Sequence, residues 1–301
     1  MKKKLGLKID VDTERGTRIG VPNLLSLFDK HNIRATFFFS FGPDNTGRAL
    51  RRIFRPGFLK KVSRTSVIRT YGIKTLLNGV LWPGPHIAKK HADLLRSVQE
   101  HGHEVGIHCY DHCRWQDDLF QWSFEETEAE FQRAIQSFRE VFHQEPLAAG
   151  APGWQANAAS FQAYDHANLL YGSDCRGPYP FFPKIGDRIF HTLQLPSHLP
   201  TLDELIGRPE YPMNIIAHEI LSRCHRHQHP DIFTLHAELE GMRYLEWFDH
   251  FIAEVLQQDI QCVTLASIAH AQLENKSLIP INDVVQGVVD GRSGTLAMQK
   301  S

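Results

Sequence analysis

The sequence has no long hydrophobic run and no excess of charge of either sign. Its longest apolar stretch, around residues 35–41, is far shorter than the roughly 20 residues that a membrane-spanning helix needs. The 301 residues include 33 Lys and Arg against 34 Asp and Glu, a net charge of −1, which argues against a surface that binds nucleic acid as a whole. We therefore expect a globular protein that is not built into a membrane.

The N-terminus lacks the apolar segment of an export signal. Charged residues stand at positions 2, 3, 4, 8 and 10, and no cleavage site follows them. The five cysteines are an odd number, which favours reduced thiols over a framework of disulfides. These features predict a cytoplasmic protein.

Short β-type runs alternate with helical patterns, which predicts βα units around a mainly parallel sheet. Apolar residues spaced by three and four predict helices over 21–30, 87–101, 125–142 and 244–257. After Glu274 the pattern weakens, and 274–301 is expected to be a tail with little packed structure. A single α/β domain is therefore predicted over residues 1–273, since α/β barrels of about 250 residues are common.

Four of the predicted strands end on ionisable residues. These residues are Asp10 with Asp12, His108, Asp174 and His236. In α/β barrels the catalytic groups lie at the carboxyl ends of the strands, where the loops converge on one pocket. We therefore expect these side chains to meet in space.

Asp12, His108 and His112 form a candidate metal site. Asp10 and Asp12 share one face of a strand, where two like charges raise one carboxyl pKa unless a cation lies nearby. His108 and His112 are four residues apart, a spacing that can bring both imidazoles to one ion. One carboxylate and two imidazoles leave a coordination position for water, whose pKa falls to about 7 in hydrolytic zinc sites. The combination predicts a catalytic metal centre.

Other interpretations of these residues stay open. A pair of His at this spacing arises by chance in a chain with 18 His, and Asp after a strand is a common turn residue. Cys109 and Cys113 alternate with the two His and could complete a closed structural zinc site, although neighbouring residues of an extended chain point in opposite directions. The His-rich run 224–229 precedes a proline and is interpreted as a solvated loop.

A basic segment interrupts the barrel pattern. No acidic residue occurs over 45–92, whereas Lys and Arg occupy eleven positions there. Apolar residues recur among the charges at helix-like spacing, namely Leu50, Ile53, Phe54, Phe58 and Val62. A basic amphipathic stretch is typical of a helix on an anionic membrane surface, but RNA binding or a solvated hairpin would give the same pattern. We expect a helical insertion over about 44–92, with 48–74 contacting the membrane.

Five short motifs, in chain order, resemble those of the NodB-type polysaccharide deacetylases, a carbohydrate esterase family. They are Ile9-Asp-Val-Asp12, His108-x-x-x-His112, Ala151-Pro-Gly-Trp154, Ser173-Asp174 and Leu235-His236. The resemblance covers about residues 5–273 and implies a distorted (β/α) barrel of about seven strands. It also implies roles for six side chains: Asp12, His108 and His112 as metal ligands, Asp10 as general base, His236 as general acid, and Asp174 orienting His236.

Further stretches are similar to members of the family that remove formate from a lipid-linked sugar. These stretches are 6–18, 42–45, 82–84, 103–108, 171–177 and 236–241. They imply hydrolysis of the formamide of 4-deoxy-4-formamido-L-arabinose carried on undecaprenyl phosphate, a step towards modified lipid A and resistance to cationic peptides. The implied cofactor is a divalent metal, with zinc first and Mn, Co or Fe as alternatives. The implied location is the inner face of the inner membrane, with no nucleic-acid partner.

Two rival functions remain, a deacetylase of another N-acyl sugar or glycolipid and an inactive lipid- or RNA-binding barrel. Two positions also depart from the family pattern. Cys109 stands where members carry Ser or Thr, and Gly150 stands where many carry an Arg that holds the catalytic Asp. By their proximity to the motifs, Arg15, Arg18 and Arg176 are the candidates to replace that Arg.

Overall fold

The computed structural model describes residues 2–49, 75–224 and 229–300. Most of the basic segment 48–74 and the middle of the His-rich run therefore lie outside the described residues. Among the helices that are described, none combines the length and apolar character needed to cross a bilayer.

The strands and helices alternate along the chain. The strands are β1 (Lys4–Val11), β2 (Thr36–Ser40), β3 (Glu104–Cys109), β4 (Ala148–Ala149), β5 (Tyr171–Gly172), β6 (Phe182–Ile185), β7 (Arg188–Ile189), β8 (Leu193–Gln194), β9 (Asp231–His236), β10 (Gln261–Val263), β11 (Ile281–Gly287) and β12 (Leu296–Gln299). The helices are α1 (Val21–His31), α2 (Ile87–Glu100), α3 (His112–Asp118), α4 (Phe124–Phe142), α5 (Ala158–His166), α6 (Leu202–Leu205), α7 (Met213–Cys224), α8 (Leu245–Gln257) and α9 (Leu265–Leu273). The four helices predicted from periodicity correspond to α1, α2, α4 and α8, with ends that differ by one residue at most.

A parallel sheet forms the barrel. Seven strands follow one another in the order β10-β1-β2-β3-β4-β5-β8, and β9 also pairs with β1. All of these pairings are parallel. The predicted distorted (β/α) barrel is thereby confirmed.

The two faces of the barrel strands pack into different cores. Phe37 and Phe39 belong to the large core between the strands and the helices, whereas Phe38 belongs to the smaller core on the other face. Both faces are covered, which explains why β2 is a continuous apolar run rather than an alternating one. On β1, the Lys8 ammonium lies 5.7 Å from the centre of the Phe38 ring, so Lys8 lies on the same face of the sheet as Phe38.

The C-terminal segment corrects the sequence analysis. The expectation of a tail with little packed structure over 274–301 is wrong, because β11 and β12 form a four-stranded sheet with β6 and β7 in the order β12-β11-β6-β7. Leu296 and Ala297 are buried in this sheet, and Ala297 packs in a small core with Phe161, Phe181 and Phe190. The sequence hides this sheet, since β11 buries few residues and pairs in parallel with the distant β6.

Candidate active site

Three strands deliver the predicted site residues to one end of the barrel. Asp10 is near the end of β1, His108 is near the end of β3, and His236 is the last residue of β9. Asp10 lies directly opposite His236 in the pairing of β1 with β9, so the candidate base and the candidate acid are neighbours across the sheet. His112 is the first residue of α3, whose N-terminus is capped by the Asp111 carboxylate.

Asp12, His108 and His112 come together as the motif spacing predicted. Asp12 Oδ1 lies 3.2 Å from His108 Nε2 and 3.5 Å from His112 Nε2. This oxygen is buried and makes no hydrogen bond within the described part of the chain. A buried carboxylate oxygen with two imidazole nitrogens beside it is a donor set that fits a divalent cation.

Electrostatics support this interpretation of the donor set. Burial alone raises the pKa of Asp12, but the His112 and His108 imidazoles more than offset it, so the pKa lies below its ordinary range. On the far side of the ring, His108 Nδ1 donates to the backbone carbonyl of Gly150. That hydrogen bond places a proton on Nδ1, so Nε2, the ring atom that faces Asp12, is the one that would bind a cation.

The described cysteines do not join this group. Cys109 is fully buried with its sulfur 3.4 Å from Ser40 Oγ, and it packs in the core between strands and helices. The donor atoms that lie within 4.8 Å of one another belong to Asp12, His108 and His112 alone among the residues described. A closed Cys/His zinc site is therefore not supported.

Lys8 takes the place that the sequence analysis assigned to an arginine. Its side chain is fully buried, and Nζ donates to Asp10 Oδ2 at 2.9 Å. The space for it exists because Gly150 has no side chain: a Cβ there would lie 3.0 Å from Lys8 Cε. The motif position that lacks the family Arg is thus filled by a cation from β1.

The arginines proposed for this role lie elsewhere. Arg18 is half-exposed and lies 3.4 Å from Glu14, while Arg176 is buried and bonds Glu204 at 2.8 Å. Arg15 stands at the start of the π-helical turn that follows β1. The prediction that Arg18 or Arg176 holds Asp10 is therefore wrong.

Asp174 is fully buried beside Lys8. Its carboxylate accepts from the Ala151 N–H at 2.6 Å, from the Tyr164 hydroxyl at 3.2 Å and from Gln194 Nε2 at 3.0 Å. Burial raises the pKa of Asp174 to about 6, although these hydrogen bonds and the Lys8 cation oppose the shift. None of these hydrogen bonds goes to His236.

Two glutamates that the motifs did not predict as site residues lie beside His236 in the chain. Glu238 accepts from the Asp12 N–H at 3.1 Å and from both the N–H and the hydroxyl of Thr13, at 2.9 and 2.7 Å. Glu240 accepts from the His236 N–H at 2.9 Å, and burial raises the pKa of Glu240 to about 8. Glu238 therefore ties the loop after β9 to the loop after β1, and Glu240 fixes the backbone at the end of β9. Their signal was the acidic stretch that directly follows His236.

The chain matches a known family by sequence. Residues 2–172 match the family model for polysaccharide deacetylase, which is more than half of the chain. The chain therefore belongs to the polysaccharide deacetylase family. The barrel and the Asp-His-His group described above agree with this assignment.

Two curated relatives have names that state a particular reaction. A Shewanella sediminis protein is 35% identical over 302 residues, covering 99% of this chain and 95% of its own. A Wigglesworthia glossinidia brevipalpis protein is 32% identical over 286 residues, covering 95% of this chain and 98% of its own. Both are named 4-deoxy-4-formamido-L-arabinose-phosphoundecaprenol deformylase.

Solved structures share the fold at low sequence identity. A Mycobacterium smegmatis protein described as a polysaccharide deacetylase has a TM-score of 0.64 at 20% identity, with 93% of each chain covered. A family 4 carbohydrate esterase pseudoenzyme from Bacillus anthracis has a TM-score of 0.54 at 15% identity, covering 89% of this chain and 66% of its own. These likenesses define the fold alone.

Proposed function

We propose that this protein hydrolyses the formamide of 4-deoxy-4-formamido-L-arabinose-phosphoundecaprenol, releasing formate and leaving the 4-amino sugar on its lipid carrier. The observation that carries this proposal is the 35% identity, over 99% of the chain, to a relative named for that reaction. The product is the lipid from which lipid A is modified in resistance to cationic peptides. The site geometry supplies the groups that such an amide hydrolysis requires.

The metal ligands in this proposal are Asp12, His108 and His112. Their mixed nitrogen and oxygen donors suit zinc, and Mn, Co or Fe fit the same set. A bound divalent ion supplies Lewis-acid chemistry, which polarises a carbonyl oxygen and lowers the pKa of water.

The protein's own groups would handle the protons. Asp10 accepts the proton of the attacking water, and Lys8, 2.9 Å away, keeps that carboxylate oriented. His236, opposite Asp10 in the strand pairing, donates a proton to the departing nitrogen. The C–N bond breaks, formate leaves and a primary amine remains. The Lys8 cation favours the charged form of Asp174, and the orientation of His236 by Asp174 stays a prediction.

A direct assay tests the reaction. Purified protein in detergent, supplied with Zn, Mn or Co, is expected to release formate from the lipid-linked formamido sugar, and an Asp10→Asn variant is expected to lose that release. The matched acetamido lipid serves as the competing substrate. Acetate release in place of formate would indicate another N-acyl deacetylase, and no release by folded, metal-loaded protein would indicate an inactive barrel.

We also propose that the protein works as a peripheral enzyme at the inner face of the inner membrane, contacting it through 48–74. This proposal rests on the sequence, where cations and apolar residues alternate without any acidic residue. Flotation with vesicles of anionic phospholipid is expected to carry the protein upward, less so at high salt. Charge reversal within 48–74 that leaves flotation intact would contradict it.

A further inference from the structure

The connection between β11 and β12 packs against Trp154, a residue of the third family motif. Arg292 lies on this connection, and only 9% of its side chain is exposed. Its guanidinium stacks on the Trp154 ring at 4.2 Å, while Nε donates to Glu204 at 2.7 Å and Nη2 approaches Asp203 at 3.2 Å. A residue from the end of the chain thus packs on the family motif that contains Trp154.

Trp154 connects this arginine to the candidate base. Lys8 Nζ lies 5.2 Å from the Trp154 ring and 2.9 Å from Asp10 Oδ2. The ring is almost fully buried and Nε1 donates to Ser197 at 2.9 Å, so its orientation is fixed. Trp154 also has a left-handed backbone, with φ at 55°, a conformation that a non-glycine residue keeps only when its surroundings hold it.

Several contacts hold the connection in place. Gly291 has φ at 87°, and a Cβ there would lie 2.4 Å from the Glu204 carbonyl oxygen, so only glycine permits this approach. Asp290 accepts from Arg208 at 2.6 Å, and the Thr295 carbonyl accepts from Gln155, the neighbour of Trp154, at 2.7 Å. Arg292 is therefore delivered by a well-anchored loop.

Charge agrees with the geometry. Burial lowers the pKa of Arg292, but the carboxylates of Asp203, Glu204 and Asp10 more than offset this effect, so the pKa is raised. Asp10 thus lies within electrostatic range of Arg292. The match to the family model covers residues 2–172, so Arg292 lies outside the matched part of the chain.

We infer that Arg292 is a positioning residue for the hydrolysis, holding Trp154 and through it the Lys8–Asp10 pair, which makes the β11–β12 hairpin part of the catalytic apparatus. This inference rests on the proposed function, since it takes Asp10 as the base. A guanidinium is suited to the task because it is flat enough to stack on the indole while its fork pairs with carboxylates.

The test variant is Arg292→Lys, which keeps a cation for Glu204 and Asp203 but loses the planar stack on Trp154. We expect kcat for formate release to fall about 10-fold, and about 100-fold in Arg292→Met, with KM and bound metal unchanged, because small misplacements of a reacting group have effects of this size. The matched control is Arg208→Lys, since Arg208 also bonds the connection, at Asp290, but stacks on Tyr211 instead of Trp154. The control is expected to keep kcat.

A double-mutant cycle separates positioning from general stabilisation. In a Lys8→Met background, the contact between Lys8 and Asp10 is already lost. Arg292→Lys should therefore change kcat in that background by less than about twofold. Losses that add in full, or wild-type kcat in folded Arg292→Lys, would overturn the inference. Failure of the proposed function is distinguishable, because the wild-type protein itself would then release no formate.

Discussion

Three carboxylates on β1, β3 and the loop after β1 differ in hydrogen bonding: Glu104 at one end of the barrel, and Asp10 and Asp12 at the other. At the start of β3, Glu104 accepts from the Thr36 hydroxyl at 2.5 Å, the Tyr171 hydroxyl at 2.6 Å and the Ala266 N–H at 2.9 Å. At the other end, Asp10 and Asp12 each keep a buried oxygen with no hydrogen bond from the described residues. A buried carboxylate whose oxygens accept hydrogen bonds stabilises the fold. A carboxylate with an oxygen that accepts none can still take up a proton or bind a cation. Glu104 is thus suited to a structural role at one end of the strands, and Asp10 and Asp12 to a chemical role at the other.

The sharpest test of this difference compares Asp10 with Asp12. Asp10→Asn should lower kcat by about 10³- to 10⁴-fold, the contribution of a general base, while bound metal stays near one ion per chain. Asp12→Asn should lose both activity and metal, because it removes a ligand. Activity assays with metal analysis of each purified variant check this, and metal loss from both variants would show that Asp10 is a ligand rather than a base.

The opposite end should respond in stability alone. Glu104→Ala leaves two buried hydroxyls and one N–H without their acceptor, so the free energy of unfolding should fall by about 3 kcal/mol. Urea unfolding measures this loss, and Glu104→Gln, which keeps an acceptor oxygen, should lose less. The kcat of folded Glu104→Ala should match wild type. A large drop in kcat at unchanged stability would contradict the division between the two ends.

Lys8 lies on β1, two residues before Asp10, and its ammonium group contacts the Asp10 carboxylate. Lys8→Met removes the cation that holds Asp10 while filling much of the same volume, so kcat should fall about 100-fold with little change in KM. Lys8→Arg restores a cation and should recover most of the rate. Steady-state kinetics with the lipid substrate decides the outcome, and an equal loss in both variants would mean that packing, not charge, matters at this position.

The motifs predicted that Asp12, His108 and His112 lie together, because their positions follow from spacing that is local in the sequence. The ends of the strands and the spacing of four between His108 and His112 are enough to bring the donor atoms of Asp12, His108 and His112 together. Lys8 was missed because a Lys on a strand normally faces water, and its burial depends on the space left by the distant Gly150. Arg292 was also missed because its position depends on a distant contact. It follows β11, and β11 pairs with β6, about 100 residues earlier in the chain.

His103, next to Glu104, should give the smallest of these effects, seen as a pH dependence of stability. Burial lowers the pKa of His103 to about 4, and Nδ1 accepts from the Ala35 N–H, which requires the unprotonated ring. The unfolded chain takes up this proton near pH 6.5, so the stabilisation is complete above that pH and is lost as pH falls towards 4, by about 2 kcal/mol. Urea unfolding at pH 7.5 and 4.5 should show a smaller loss in His103→Gln than in wild type. Equal losses would mean that His103 stays neutral in the unfolded chain or charged in the folded one.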